Sequence, residues 1–165
     1  MAQLMSSSAE EAAARGAMYG LLARLWLREA NRELVNQLGS PPLRDAFIEA
    51  GGVLPADSGG ATIEQLEIDY CQLFVGPKDH LPPFQSVWQG GQLQGKPTES
   101  MTRYVDLVGY EIEPLPHGVM LDHLGVQLDV MSHIAGRIAT RVSDPETSKT
   151  IQDLTHSYFA AHLRW

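Results

Sequence analysis

The sequence predicts an all-α protein. Apolar residues recur at helical spacing along most of the chain, and residues that open and close helices fall between those runs. No segment shows the sustained alternation of a half-buried strand, and no internal repeat is present. At 165 residues the chain is long enough for one domain and short for two. A single multi-helix domain over residues 1–165 is therefore expected, with residues 77–97 as a long loop or a hinge between two halves.

Taken in order, Ser8 with Glu11 has capping-box spacing, and Met18, Leu21, Leu22, Leu25 and Trp26 form an apolar stripe behind it. A short helix with Leu34, Val35 and Leu38 should stop at Gly39. Ser40-Pro41 should open the next, with Leu43, Phe47 and Ala50 on one face and Gly51 at its end. Residues 51–61 (GGVLPADSGGA) are rich in turn formers. Thr62 with Gln65 repeats the capping-box spacing before Ile63, Leu66, Tyr70, Leu73 and Phe74, and Gly76-Pro77 closes that helix.

Residues 77–97 carry Pro77, Pro82, Pro83, Pro97, Gly90, Gly91 and Gly95, and a loop of this length in a compact domain is usually functional. Thr98 restarts a helix through Met101, Tyr104, Val105 and Val108 to Gly109. After Pro114 and Pro116 the strongest periodicity follows, from Met120 through Leu124, Leu128, Met131, Ala135 and Ile138 to Val142. Asp144-Pro145 should begin a last helix along Ile151, Leu154, Tyr158, Ala161 and Trp165. An apolar Trp165 without a cap suggests a trimmed chain or a face completed by another subunit.

Charge is placed unevenly. The net charge is −8. Residues 45–77 contain Asp45, Glu49, Asp57, Glu64, Glu67 and Asp69 with no Lys or Arg. Residues 104–136 contain Asp106, Glu111, Glu113, Asp122 and Asp129, again with no Lys or Arg. The rest of the chain holds all 12 Lys and Arg. Too few cations argue against nucleic acid and anionic membranes as partners. Cys71 stands alone, so neither an internal disulfide nor a cysteine zinc site is available, which suits a reducing compartment. Residues 1–8 lack a basic leader region, and no run reaches the ~18 apolar residues of a membrane helix. A cytoplasmic protein is expected.

The usual phosphate-loop, dinucleotide, zinc-protease and serine-hydrolase patterns are absent. Asp129 and His133 stand at i, i+4 and could place two metal ligands together, but one such pair falls short of a closed site and an ion pair on a helix surface explains the spacing better. A metal- or nucleotide-dependent all-α hydrolase using Asp122, His123, Asp129 and His133 is the enzymatic alternative. Asp122 can equally serve as a helix cap. The segment EIDYCQLFVGPKDHLPPFQSVW (residues 67–88) ends a helix and presents Phe84 and Trp88 beside paired prolines. That composition suits a peptide-docking surface or a loop folded back onto the core.

This segment, followed about thirty residues later by LDHLGVQLDVM, resembles the TorD/DmsD/NarJ family of cytoplasmic maturation chaperones for molybdenum-cofactor oxidoreductases. The resemblance runs from the first amphipathic helix to His162–Trp165. It implies an all-α fold of that type, no enzymatic activity, no cofactor and no metal of the chain's own. It also implies binding of a twin-arginine signal peptide, the apo-subunit of a molybdopterin oxidoreductase, or both, until cofactor insertion and export. The client-binding residues it implies are Tyr70, Phe74, Gly76, Pro77, Pro83, Phe84, Ser86, Trp88, Asp122 and His123. Glu67, Asp69 and Asp129 are supporting acids. Met120 replaces a proline common in relatives, and Gln127 replaces a frequent acid. Many relatives continue for one more helix. A monomer or a dimer exchanging C-terminal halves is expected.

The acid-only stretches contain both motifs, so an electronegative, partly apolar groove is expected. Carboxylates would set the register of the leader's arginines, and Phe74, Phe84 and Trp88 would bury its apolar run.

Overall fold

The structure is a computed structural model. It describes residues 2–111, 118–140 and 145–165, with side chains except those of residues 2–8, 139 and 145. Eight α-helices follow one another among these residues: α1 (Ala2–Leu27), α2 (Arg32–Leu38), α3 (Leu43–Glu49), α4 (Gly60–Tyr70), α5 (Gln85–Gly90), α6 (Lys96–Val108), α7 (Leu124–Thr140) and α8 (Pro145–His162). A π-helical turn, Cys71–Val75, continues α4. The all-α expectation holds. Glu113, Pro114, Pro116, His117, Val142 and Asp144 lie outside the described residues.

The chain divides into two compact units. One joins Met1–Leu27 with Pro83–Trp165, and the other is Arg28–Pro82. In the first, α7 is the central element, and its 17 residues extend ~25 Å. Val126, Val130, Met131 and Ile134 of α7 pack with Met101, Val105 and Val108 of α6 and with Ile151 and Tyr158 of α8. The spacings of four and three along α6 put its trio on one stripe. Gly109, at φ 60°, takes the left-handed conformation that ends α6, where a side chain would be strained.

Helix α1 departs from expectation twice. It already runs as helix from Ala2, so Ser8 does not open it; Ala2, Gln3, Leu4 and Met5 are mostly strong helix formers and extend it backwards. The face laid on α7 is also not the stripe of large residues. Ala12 and Ala23 are buried, and a Cβ on Gly16 would stand 3.3 Å from the Ser132 carbonyl oxygen. Ser132 Oγ donates to the Gly16 carbonyl at 2.8 Å. Small residues let the two backbones approach, which leaves Met18 48% and Leu22 37% exposed.

Within Arg28–Pro82, Asn31 caps α2, its Oδ1 accepting from Leu34 N at 2.9 Å. The buried apolar side chains described in this unit are Leu34, Val35 and Leu38. Helix α3 follows Pro42, later than Ser40-Pro41 suggests, and buries none of its side chains. Helix α4 begins at Gly60 rather than behind a Thr62–Gln65 box. Asp57 Oδ1 accepts from Gly59 N and Thr62 Oγ1, both at 2.7 Å, which hold its carboxyl below the usual range. Gln65 instead donates to Asp69 Oδ1 one turn on, at 2.8 Å.

Candidate functional site

Short helix α5 lies where a loop is expected, and its cause is tertiary. The backbone of Pro83–Gln85 pairs with that of Asp122–Leu124. Gln85 N donates to the Asp122 carbonyl at 3.0 Å, and Leu124 N donates to the Pro83 carbonyl at 2.8 Å. An isolated antiparallel bridge joins Phe84 to His123 between them. Since the chain at 122–124 spends these groups on residues 83–85, α7 starts at Leu124 rather than at Met120.

Asp122 completes the junction. Its side chain is 0% exposed. Oδ2 accepts from Ser86 N at 2.9 Å, and Oδ1 accepts from Thr98 Oγ1 at 3.0 Å. The carboxylate therefore caps the first turn of α5 across 36 residues, where the helix has no side-chain cap of its own. A cap on its own helix, the local expectation, is not what Asp122 provides. Ser86 Oγ, beside it in sequence, is buried with no hydrogen-bond partner.

His123 caps α7. Its Nδ1 accepts from Gly125 N at 3.0 Å, so that nitrogen carries no proton. Its ring meets Phe84 edge to face, with centroids 5.1 Å apart. Burial lowers its pKa to about 4, against a smaller opposing pull from Asp122. A neutral imidazole at neutral pH follows.

A second buried set lies behind α5, and hydrophobic periodicity marks none of its hydrogen-bonding partners. Gln85 Oε1 accepts from Gln127 Nε2 at 2.7 Å and pairs with His162 Nδ1 at 2.9 Å. Gln85 Nε2 donates to the Ala161 carbonyl at 2.8 Å. With Nδ1 as donor, His162 Nε2 accepts from Ser100 Oγ at 3.0 Å. Burial lowers the His162 pKa to about 4, with Asp122 again opposing. Trp165 Nε1 donates to Gln127 Oε1 at 2.9 Å and to the His162 carbonyl at 2.8 Å, so this indole is tied into the network. Periodicity marks apolar faces; it carries no signal for a glutamine whose partners lie 42 and 77 residues away.

The remaining expected residues divide between the units. Trp88 is 59% exposed on α5, while Pro83 and Ser86 are buried and Phe84 is half-buried. In Arg28–Pro82, half-buried Tyr70 and Phe74 stack edge to face at 5.1 Å. A Cβ on Gly76 would stand 3.1 Å from the Gln72 carbonyl oxygen, which favours glycine there. Pro77, Glu67 and Asp69 are exposed. Ile68, Leu73, Val75 and Leu81 are exposed apolar side chains of the same unit, Val75 to 67%.

Asp129 and His133 do not pair with each other as a surface ion pair would. Asp129 accepts from the Tyr110 hydroxyl. His133 Nε2 pairs with the Val108 carbonyl at 3.2 Å, and its ring packs edge to face on Tyr110. Among the described residues no three His, Cys, Asp or Glu side chains gather to hold a metal ion.

Fold and junction together define a helical chain in which residues 83–86 and 122–124 form one buried lock. The chain belongs to the nitrate reductase delta subunit family, whose model matches residues 26–165. It is similar to the chaperone protein TorD of Vibrio cholerae serotype O1, with 34% identity over 73 residues, 43% of this chain and 33% of that protein. It is also similar to the chaperone protein TorD of Shewanella oneidensis, with 26% identity over 143 residues, 74% of this chain and 64% of that protein. The chain thus spans about a third of the length of the Vibrio relative. No solved structure matches it.

Proposed function

We propose that this chain is a cytoplasmic maturation chaperone, not an enzyme, that binds a molybdopterin oxidoreductase catalytic subunit through its twin-arginine leader. It holds that subunit until cofactor insertion and export. The observation that carries the reading is the exposed Trp88, on a short helix whose first two residues, Gln85 and Ser86, are fixed by hydrogen bonds. A large, rigid indole held at a surface is the kind of side chain that anchors peptides, because little conformational entropy remains to be lost on binding.

The second support is chemical. Residues 64–81 carry exposed Glu64, Glu67 and Asp69 beside exposed Ile68, Leu73, Val75 and Leu81. Carboxylates beside apolar surface match a peptide with paired arginines and an apolar run. Family membership and the named relatives point the same way. Co-expression tests the holding role. The catalytic subunit with its leader should co-purify with this chain, and deleting the leader or introducing Trp88→Ala should release most of it. Equal recovery with and without the leader would reject leader binding.

A further inference from the structure

We propose that Gln85, Gln127 and His162 are positioning residues that hold the Phe84–Trp88 segment in its docking conformation from behind. This rests on the reading of that segment as a client-docking element, and extends it to side chains that no client touches. All three are buried. The primary amide of Gln85 is the hub, because its oxygen takes two bonds and its nitrogen gives one. The partners come from two helices: Gln127 from the first turn of α7, His162 and the Ala161 carbonyl from the last turn of α8. His162 is itself braced by Ser100 of α6, and Gln127 by Trp165.

Gln85 is the first residue of α5, and Trp88 stands three residues on, one turn of the same helix. Fixing the Gln85 side chain, with Asp122 fixing the next amide, leaves the helix one rotational setting. Six residues cannot sustain a helix in water by local bonds alone, so the orientation of Trp88 depends on these outside partners. Replacing a partner leaves a buried polar group unsatisfied and frees the first turn of α5. The His162 ring also meets Tyr158 of the core and Tyr104 beside it, with centroids 5.2 and 5.3 Å apart, so an apolar replacement is used to keep that packing and leave the loss of hydrogen bonds as the main change.

Amide hydrogen exchange of the full chain, paired with calorimetric titration of a synthetic peptide bearing two adjacent arginines and an apolar run, decides the matter. His162→Leu should raise exchange at residues 86–91 by roughly tenfold relative to residues 126–135 of α7. It should weaken peptide binding by roughly tenfold while leaving the salt dependence of the wild type, since no charged contact is lost. His162→Asn retains a donor near the Nδ1 position and should recover most of both effects. Trp165→Phe removes the donor to Gln127 and gives the same pattern in milder form, so the test stands even if His162→Leu does not fold. Peptide affinity within about twofold of wild type, the usual scatter of such comparisons, overturns the proposal. So does an equal rise of exchange in α5 and α7, which would make these ordinary core residues, or a changed salt dependence, which would make them ligand contacts. A wild-type chain that does not bind the peptide overturns the docking reading instead, together with what rests on it.

Discussion

Asp122 and His123 are neighbours with different tasks, and both hold the junction together from within the protein. Both oxygens of Asp122 accept protein hydrogen bonds, and His123 Nδ1 accepts from the backbone. Asp122→Ala should cost about 2–4 kcal/mol in urea unfolding, because a buried amide and the Thr98 hydroxyl lose a charged acceptor. Asp122→Asn retains one acceptor oxygen and should cost less. His123 and His162 are both pushed down to about 4 by burial, from an ordinary 6.5. The unfolded chain binds protons on these rings between pH 6.5 and 4, whereas the folded chain keeps them neutral. Their contribution is therefore complete above about pH 6.5 and is lost as pH falls towards 4, at about 1 kcal/mol per pH unit for each ring after allowance for solvent screening. Thermal unfolding from pH 7 to 4 should show the decline, and His162→Asn should flatten it. An unchanged slope in that variant would place the titration elsewhere.

At the scale of elements, α1 is held by its small residues. Gly16→Val would push a branched side chain towards the Ser132 carbonyl oxygen, already 3.3 Å from a Cβ, and should cost about 1–3 kcal/mol in chemical denaturation. Met18→Ser, on an exposed position, should change stability by less than about 0.5 kcal/mol. The reverse ranking would mean that the large residues face α7. The sequence makes the opposite choice look natural, since Met18, Leu21, Leu22 and Leu25 form the obvious stripe. Periodicity finds an apolar face; it does not say which of two faces a neighbour accepts. Helices α6, α7 and α8 were legible because their stripes are the buried ones and their stops, such as Gly109, are local. Helix α5 was not, because its first turn is capped by Asp122 and its hub glutamine by residues of α7 and α8. The two motifs identified the residues of the junction, but only the fold shows Asp122 and His123 turned inward and Trp88 outward.

At the scale of the whole molecule, the two units differ in how much they bury. The described apolar core of Arg28–Pro82 is Leu34, Val35 and Leu38, whereas the other unit buries a set spanning α6, α7 and α8. Fewer buried contacts mean cheaper local opening, so amides of α3 and α4 should exchange well before those of α7 in the free chain. Equal protection would show that Arg28–Pro82 draws stability from contacts other than its own core. The same unit carries the acidic and apolar surface expected to receive a client.

The most direct test of a chaperone that reads a leader is calorimetric titration of the full chain with a twin-arginine leader peptide over a series of salt concentrations, with Trp88→Ala alongside. Binding at micromolar or tighter dissociation constant, weakened by salt as exposed charge pairs are screened and weakened again by Trp88→Ala, is the expected result. No heat and no salt-sensitive association with the wild-type chain would contradict leader recognition.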